Sequence, residues 1–249
     1  MTDSSAAIAH FAADDFRLSS IISRSGGVLS RHLPTFFIVA LIACSPMLLL
    51  GSMQGTEPIQ PAEALRQGLW AMLGGVLMMV LSTLGYAILL YVALQDIRRG
   101  PVRLTDALHV ALRRFFPPIG LFLVASLLVV LGLILLIIPG LVLYTMWLVA
   151  TPACVAERRG PWMSLRRSRE LTKGYRWKLF ALALLILVGS LGGSLVGYGL
   201  RAFAGPMVGL GGQWIWTAIW TVLSNIVIAV AYHDLRVIKD RVDIMPVFE

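Results

Sequence analysis

Six apolar stretches, at 34–50, 69–94, 117–138, 141–155, 179–199 and 214–232, divide this chain, and basic segments lie between several of them. Few folds are open to such a sequence. A run of about 20 apolar residues is long enough to cross a bilayer, where no water satisfies backbone N–H and C=O groups. Each run must therefore close its own hydrogen bonds as a helix. Composition agrees: 58% of the residues are hydrophobic and only 14% are charged, whereas soluble domains average about 25% charged. The fold class is all-α, a polytopic membrane protein with about six transmembrane helices. The first run just reaches spanning length, and the fourth is short enough to need local thinning of the bilayer. Pro139-Gly140 reads as the tight turn between the third and fourth runs.

The 21 Lys and Arg against 13 Asp and Glu leave a net charge of +8. A surplus of this size also suits nucleic acid, but here the cations sit in short patches between apolar runs. That placement points to anionic lipid headgroups, with no nucleic-acid partner. Only Arg66 and Arg201 fall in segments placed outside, so the positive-inside bias puts both termini in the cytoplasm. Residues 1–14 read as a flexible cytoplasmic tail, 15–235 as a single integral membrane domain, and 236–249 as a cytoplasmic C-terminal tail. Asp3, Asp14 and Asp15, with no continuous apolar stretch before residue 34, argue against a cleavable signal peptide.

Two segments suit helices lying in the interface. In 15–32, Leu18, Ile22 and Leu29 recur at near-helical spacing between Arg17, Arg24 and Arg31. In 95–116, Leu104, Leu108, Leu112 and Phe115 share one helix face. Arg98-Arg99-Gly100-Pro101 recurs as Arg158-Arg159-Gly160-Pro161, each copy following a spanning run and preceding an amphipathic stretch. The chain thus reads as a possible three-fold repeat of interfacial helix plus transmembrane hairpin.

The densest cationic segment is 157–178. Arg158, Arg159, Arg166, Arg167, Arg169, Lys173, Arg176 and Lys178 are interleaved there with Trp162, Leu165 and Trp177. Such residues hold a loop on the cytoplasmic side whatever else they do. They are also the candidate contacts for an anionic lipid headgroup, and Arg166, Arg169 and Lys173 share one face of a helix that starts near Pro161 and ends at Gly174. Glu170 is placed to pair with Arg166.

Gly189, Gly193 and Gly197 recur every fourth residue and form a helix-packing face, for the sixth helix or for another protomer. A homo-oligomer or a membrane-protein partner is open on that basis. No catalytic constellation emerges. No ionisable residue lies deep inside a run, and His10, His32, His109 and His233 have no ligand spacing, so neither cofactor nor metal is expected. Cys44 and Cys154 read as small buried hydrophobes, and Asn225 as an interhelical hydrogen-bonding residue.

The run IPGLVLYTMWLVATPACVAERRGPWMSLRRSRELTKGYRWKLF, 138–180, resembles the signature of the bacterial glycerophosphoryl diester phosphodiesterase membrane-domain family. The matching positions are Ile138, Pro139, Gly140, Glu157, Leu165, Arg167, Ser168, Leu171, Thr172, Gly174 and Trp177. The opening FRLSSIISRSGGVLSRHLPTFF and the closing AYHDLR are also similar. The resemblance implies a multi-pass protein of the bacterial inner membrane. The catalytic barrel that gives the family its name has no counterpart here, because no soluble stretch is long enough to form one. The expected function is non-enzymatic: a lipid-associated scaffold or envelope-homeostasis module. The alternative is transport of a small solute or lipid through a groove between repeats.

Overall fold

Helix is the only regular structure among the residues that the computed structural model describes, 18–45, 61–97, 104–113, 116–158 and 160–240. In chain order the helices are α1 (Leu18–Arg31), α2 (Leu33–Cys44), α3 (Pro61–Ile97), α4 (Leu104–Arg113), α5 (Phe116–Leu135), α6 (Ile137–Met146), α7 (Ala150–Ala156), α8 (Pro161–Thr172), α9 (Arg176–Ala204) and α10 (Pro206–Asp240). Five segments are long and apolar enough to cross a membrane, α6 and α7 counting as one. A sixth is gained if α1 and α2, bent by 90° at His32, are taken together. The chain is an all-α polytopic membrane protein. Its order is a short helix followed by an apolar hairpin, three times over, led by α1, α4 and α8. The tails 1–14 and 241–249, the first Arg-Arg-Gly-Pro copy and Arg159 lie outside the described residues.

The core is built around α10, which packs against α1, α2, α3, α7, α8 and α9. Its sequence explains this central place. Ala218, Val222, Ile226, Ala229, Val230, Ala231 and Leu235 are all buried, and a helix that is apolar on several sides is buried on several sides. Ala229 and Ala231, both fully buried, are small enough to let neighbours approach closely. In contrast, α5 and α9 leave most of their apolar surface exposed, as lipid-facing helices do.

Three boundaries differ from the sequence reading. Helix α10 continues to Asp240, so residues 236–240 of the expected C-terminal tail are helical. The expected loop between the fifth and sixth runs is a single-residue turn at Gly205, whose φ of 91° suits glycine. The turn between α5 and α6 falls at Leu136, in extended conformation, not at Pro139-Gly140. A proline in a helix's first turn gives up an N–H that has no partner there, so Pro139 is accommodated as the third residue of α6. Gly140 then lies so close to α5 that a Cβ would sit 2.5 Å from the Leu133 side chain. The same hairpin is interrupted again between α6 and α7. Pro152 has no N–H for the Leu148 carbonyl and crowds it, and residues 147–149 form a turn.

The interfacial helices present two apolar faces rather than one. In α1 the side chains turned to the protein are Ile21, Ser25 and Val28, while Ile22, from the predicted stripe, is 49% exposed. In α4, Ala107 and Ala111 are buried, whereas Leu108 and Leu112 are about half exposed. Small or fitted residues meet the protein and large aliphatic ones face outward, as suits a helix at a membrane surface.

Candidate functional site

Helix α8 sorts the side chains of the cationic segment onto two faces. It begins at Pro161, after Gly160 in extended conformation, and ends where Lys173 turns out of helical geometry and Gly174 takes a φ of 96°. Between these ends the 3.6-residue period directs Ser164, Leu165, Ser168, Leu171 and Thr172 inward. Ser168 Oγ donates to the Met146 carbonyl at 2.7 Å, and Thr172 Oγ1 lies 3.4 Å from the same oxygen. That carbonyl belongs to the last residue of α6, where Pro152 interrupts the helix, so α8 supplies the donors that the broken helix lacks.

Arg167 also points inward. Its Nε donates to Glu157 Oε1 and Oε2 at 3.0 and 3.1 Å, and its terminal nitrogen donates to Asp240 Oδ2 on α10. The Tyr232 hydroxyl donates to Glu157 Oε1 at 2.9 Å. Only 14% of the Arg167 side chain and 7% of the Glu157 side chain are exposed. Burial alone would lower the guanidinium's pKa, but hydrogen bonds and charge from Asp240 and Glu157 outweigh it and raise the pKa. Arg167, a predicted headgroup contact, is therefore a buried tie between α7, α8 and α10. The reason lies in the tertiary fold: Glu157 and Asp240 offer acceptors that a headgroup would otherwise supply.

The same end of the bundle carries further ties. Arg24 of α1 pairs with Asp234 of α10, and Arg31 and His32 reach Asp96 at the end of α3, at 2.8 and 3.1 Å. The side chains of Asp96 and Asp234 are nearly buried. These carboxylates were not singled out by sequence reasoning. Their one visible signal is rarity, since Asp and Glu together number 13 in the whole chain and few adjoin apolar runs.

The outward face is different. Arg158, Arg166, Arg169, Lys173 and Arg176 are exposed, and Lys178 is half-buried, its Nζ 5.8 Å from the Tyr175 ring centre. Arg166 pairs with Glu170 at 3.3 Å, one turn away and open to solvent. Beside the cations, Trp162 and Trp177 are 68% and 84% exposed. Cations and indoles side by side at the end of apolar helices match the chemistry of a headgroup layer.

Gly189, Gly193 and Gly197 lie against α10 of the same chain. A Cβ on each would fall 1.8 Å from Trp220, 2.1 Å from Trp216 and 2.8 Å from Gln213. The grooves receive indole rings. Trp216 Nε1 donates to the Gly189 carbonyl at 3.0 Å and Trp220 Nε1 to the Ile186 carbonyl at 2.9 Å. Asn225, buried on α10, donates to the Thr221 carbonyl at 2.7 Å. Among the described residues no three His, Cys, Asp or Glu side chains are grouped as a metal ion would require.

The chain thus offers a cationic, indole-flanked surface beside a set of ion pairs whose carboxylates Asp96, Glu157 and Asp234 are nearly buried. No family model, curated protein or solved structure matches it.

Proposed function

We propose that this protein is a non-enzymatic, lipid-associated module of a bacterial inner membrane, whose cationic end contacts anionic headgroups on the cytoplasmic side. The observation that carries this reading is the division of α8. The cation that could neutralise buried carboxylates, Arg167, has done so, and Arg158, Arg169, Lys173 and Arg176 remain exposed beside Trp162 and Trp177. Each such cation near an anionic surface contributes about 1 kcal/mol of attraction. The orientation is supported by Arg66 and Arg201, which stand at the opposite ends of α3 and α9 from this cluster.

Membership of the phosphodiesterase membrane-domain family belongs to the same proposal. Its support is that the similar segments meet in space. Arg24 comes from the opening one, Glu157 and Arg167 from the middle one, and Tyr232 and Asp234 from the closing one. Transport has less behind it. Transporters use interrupted helices to hold substrate, but the Met146 carbonyl at the interruption is already taken by Ser168.

The test is mass spectrometry of lipids retained in native nanodiscs, comparing wild type with the combined variant Arg166→Gln, Arg169→Gln, Lys173→Gln. Enrichment of anionic lipid in wild type and its loss in a folded variant is the expected result. Equal, bulk-like lipid around both would sink the reading and leave the charges as topology determinants.

A further inference from the structure

A cavity of about 200 Å³ opens at the cationic end, lined by Arg113, Pro117, Pro118, Cys154, Val155, Arg158 and Gly160. It lies where the end of α4, the start of α5, the end of α7 and the approach to α8 converge. Its two charged lining residues are arginines from segments far apart in the chain. Neither has an ion-pair partner among the described residues, in contrast to Arg24, Arg31 and Arg167 at the same end. Among the described residues no carboxylate is in its lining.

Three features make this more than two neighbouring cations. Arg158 has a φ of 56°, in the left-handed region; non-glycine residues seldom enter it, and those that do are concentrated at functional sites. This conformation interrupts the chain between Glu157, fixed on Arg167, and Gly160, and it sets the direction in which Arg158 leaves the backbone. Pro117 and Pro118 are also in the lining and have no N–H to offer, and the two guanidiniums are the charged donors there. Guanidiniums hold phosphate oxygens through paired N–H donors. Finally, the surroundings suit a lipid: Leu112 and Phe116, beside the mouth, are 58% and 82% exposed, and Phe122 and Leu123 continue the apolar surface along α5.

We propose that this cavity binds a phosphate group between Arg113 and Arg158, supplied by a phospholipid whose chains lie along α5. The site rests on the lipid-associated reading; it shares Arg158 with the exposed cationic cluster but uses none of the cations on α8 itself. It predicts one tightly held phospholipid beyond the loosely retained ones.

The experiment is native mass spectrometry of detergent-released protein titrated with phosphatidylglycerol, on wild type, the pair Arg113→Gln with Arg158→Gln, the pair Arg113→Lys with Arg158→Lys, and the α8 variant above. A parallel arm follows thermal stabilisation by inorganic phosphate. One phosphatidylglycerol should survive on wild type and the α8 variant, fall in occupancy by about tenfold or more in the Gln pair, and be partly kept in the Lys pair. Arginine-dependent stabilisation by inorganic phosphate without lipid retention would keep the phosphate site and replace the phospholipid by a soluble ligand. Identical behaviour of wild type and the Gln pair in both arms would overturn the site. If anionic lipid is enriched yet indifferent to the Gln pair, the cavity proposal fails alone. If no anionic lipid is enriched at all, the wider reading fails with it.

Discussion

The two faces of α8 carry the same residue types at interleaved positions and do opposite things. Arg167 is buried between two carboxylates, while Arg166 and Arg169, its near neighbours, stand exposed. Charge density alone gives all three one role. What separates them is the 100° step between residues, together with the presence of Glu157 and Asp240 on one side only. A basic loop in a membrane protein is therefore two populations, one that fastens the fold and one that meets the surroundings.

The sharpest way to break this comparison is to neutralise one member of each population. Arg167→Gln removes the ion-pair partner of Glu157, whose side chain is 7% exposed, and leaves Asp240 with Arg236 at 3.8 Å; breaking a buried pair in this way costs about 3–5 kcal/mol. Its thermal unfolding midpoint in detergent should fall far below that of wild type, whereas Arg169→Gln should shift it by no more than about 0.5 kcal/mol equivalent. Equal midpoints for the two would erase the distinction between the faces.

Helix α9 offers the same contrast without charge. Gly193→Ala places a methyl group into the Trp216 ring and should destabilise by about 1–3 kcal/mol. Gly199 has open space at its Cβ position, so Gly199→Ala should be neutral or stabilise by up to about 1 kcal/mol through helix propensity alone. If both substitutions behave alike in a chemical-denaturation series, the indole fit is not what holds α9 to α10.

A smaller loss is expected from Ser168→Ala, which removes the better-placed donor from the Met146 carbonyl and should cost about 1–2 kcal/mol. Thr172 remains nearby as a weaker donor. Hydrogen exchange at the 147–149 turn is the sensitive readout, and unchanged protection there would show that the interruption needs no donor from α8. The smallest effect belongs to Tyr232→Phe. It takes one of several hydrogen bonds from Glu157 and should cost about 0.5–1.5 kcal/mol.

Much of this architecture was legible in advance. The apolar runs predict the spanning helices because hydropathy is a local property, and Gly174 marks the end of α8 because only a local backbone conformation is at stake. The outward positions of Arg166 and Arg169 follow from helical period. Arg167 was misread because its fate depends on Asp240, 73 residues away, and 21 cations compete for 13 acids in the sequence. The stripe on α1 is legible only in part for a related reason. Leu18 and Leu29 pack against the core while Ile22 faces away, because a helix between protein and lipid needs two apolar faces and periodicity does not say which neighbour each residue will meet. The turn at Leu136 was hidden because Pro-Gly signals a turn and a helix start equally well.

The central place of α10 has a consequence for how the molecule is made. Arg24 is synthesised 210 residues before Asp234, its partner. At about 5–20 residues per second, α1 waits roughly 10–40 s before that partner exists. Through that interval α2 and α3 pack on each other but have no core helix to close against. Each nascent copy therefore passes through a stage in which its first hairpin is made yet lacks the helix it packs against. Translation pauses ahead of α10 would prolong that stage, and the insertion machinery, or a protease that patrols the bilayer, has its best opportunity to act then.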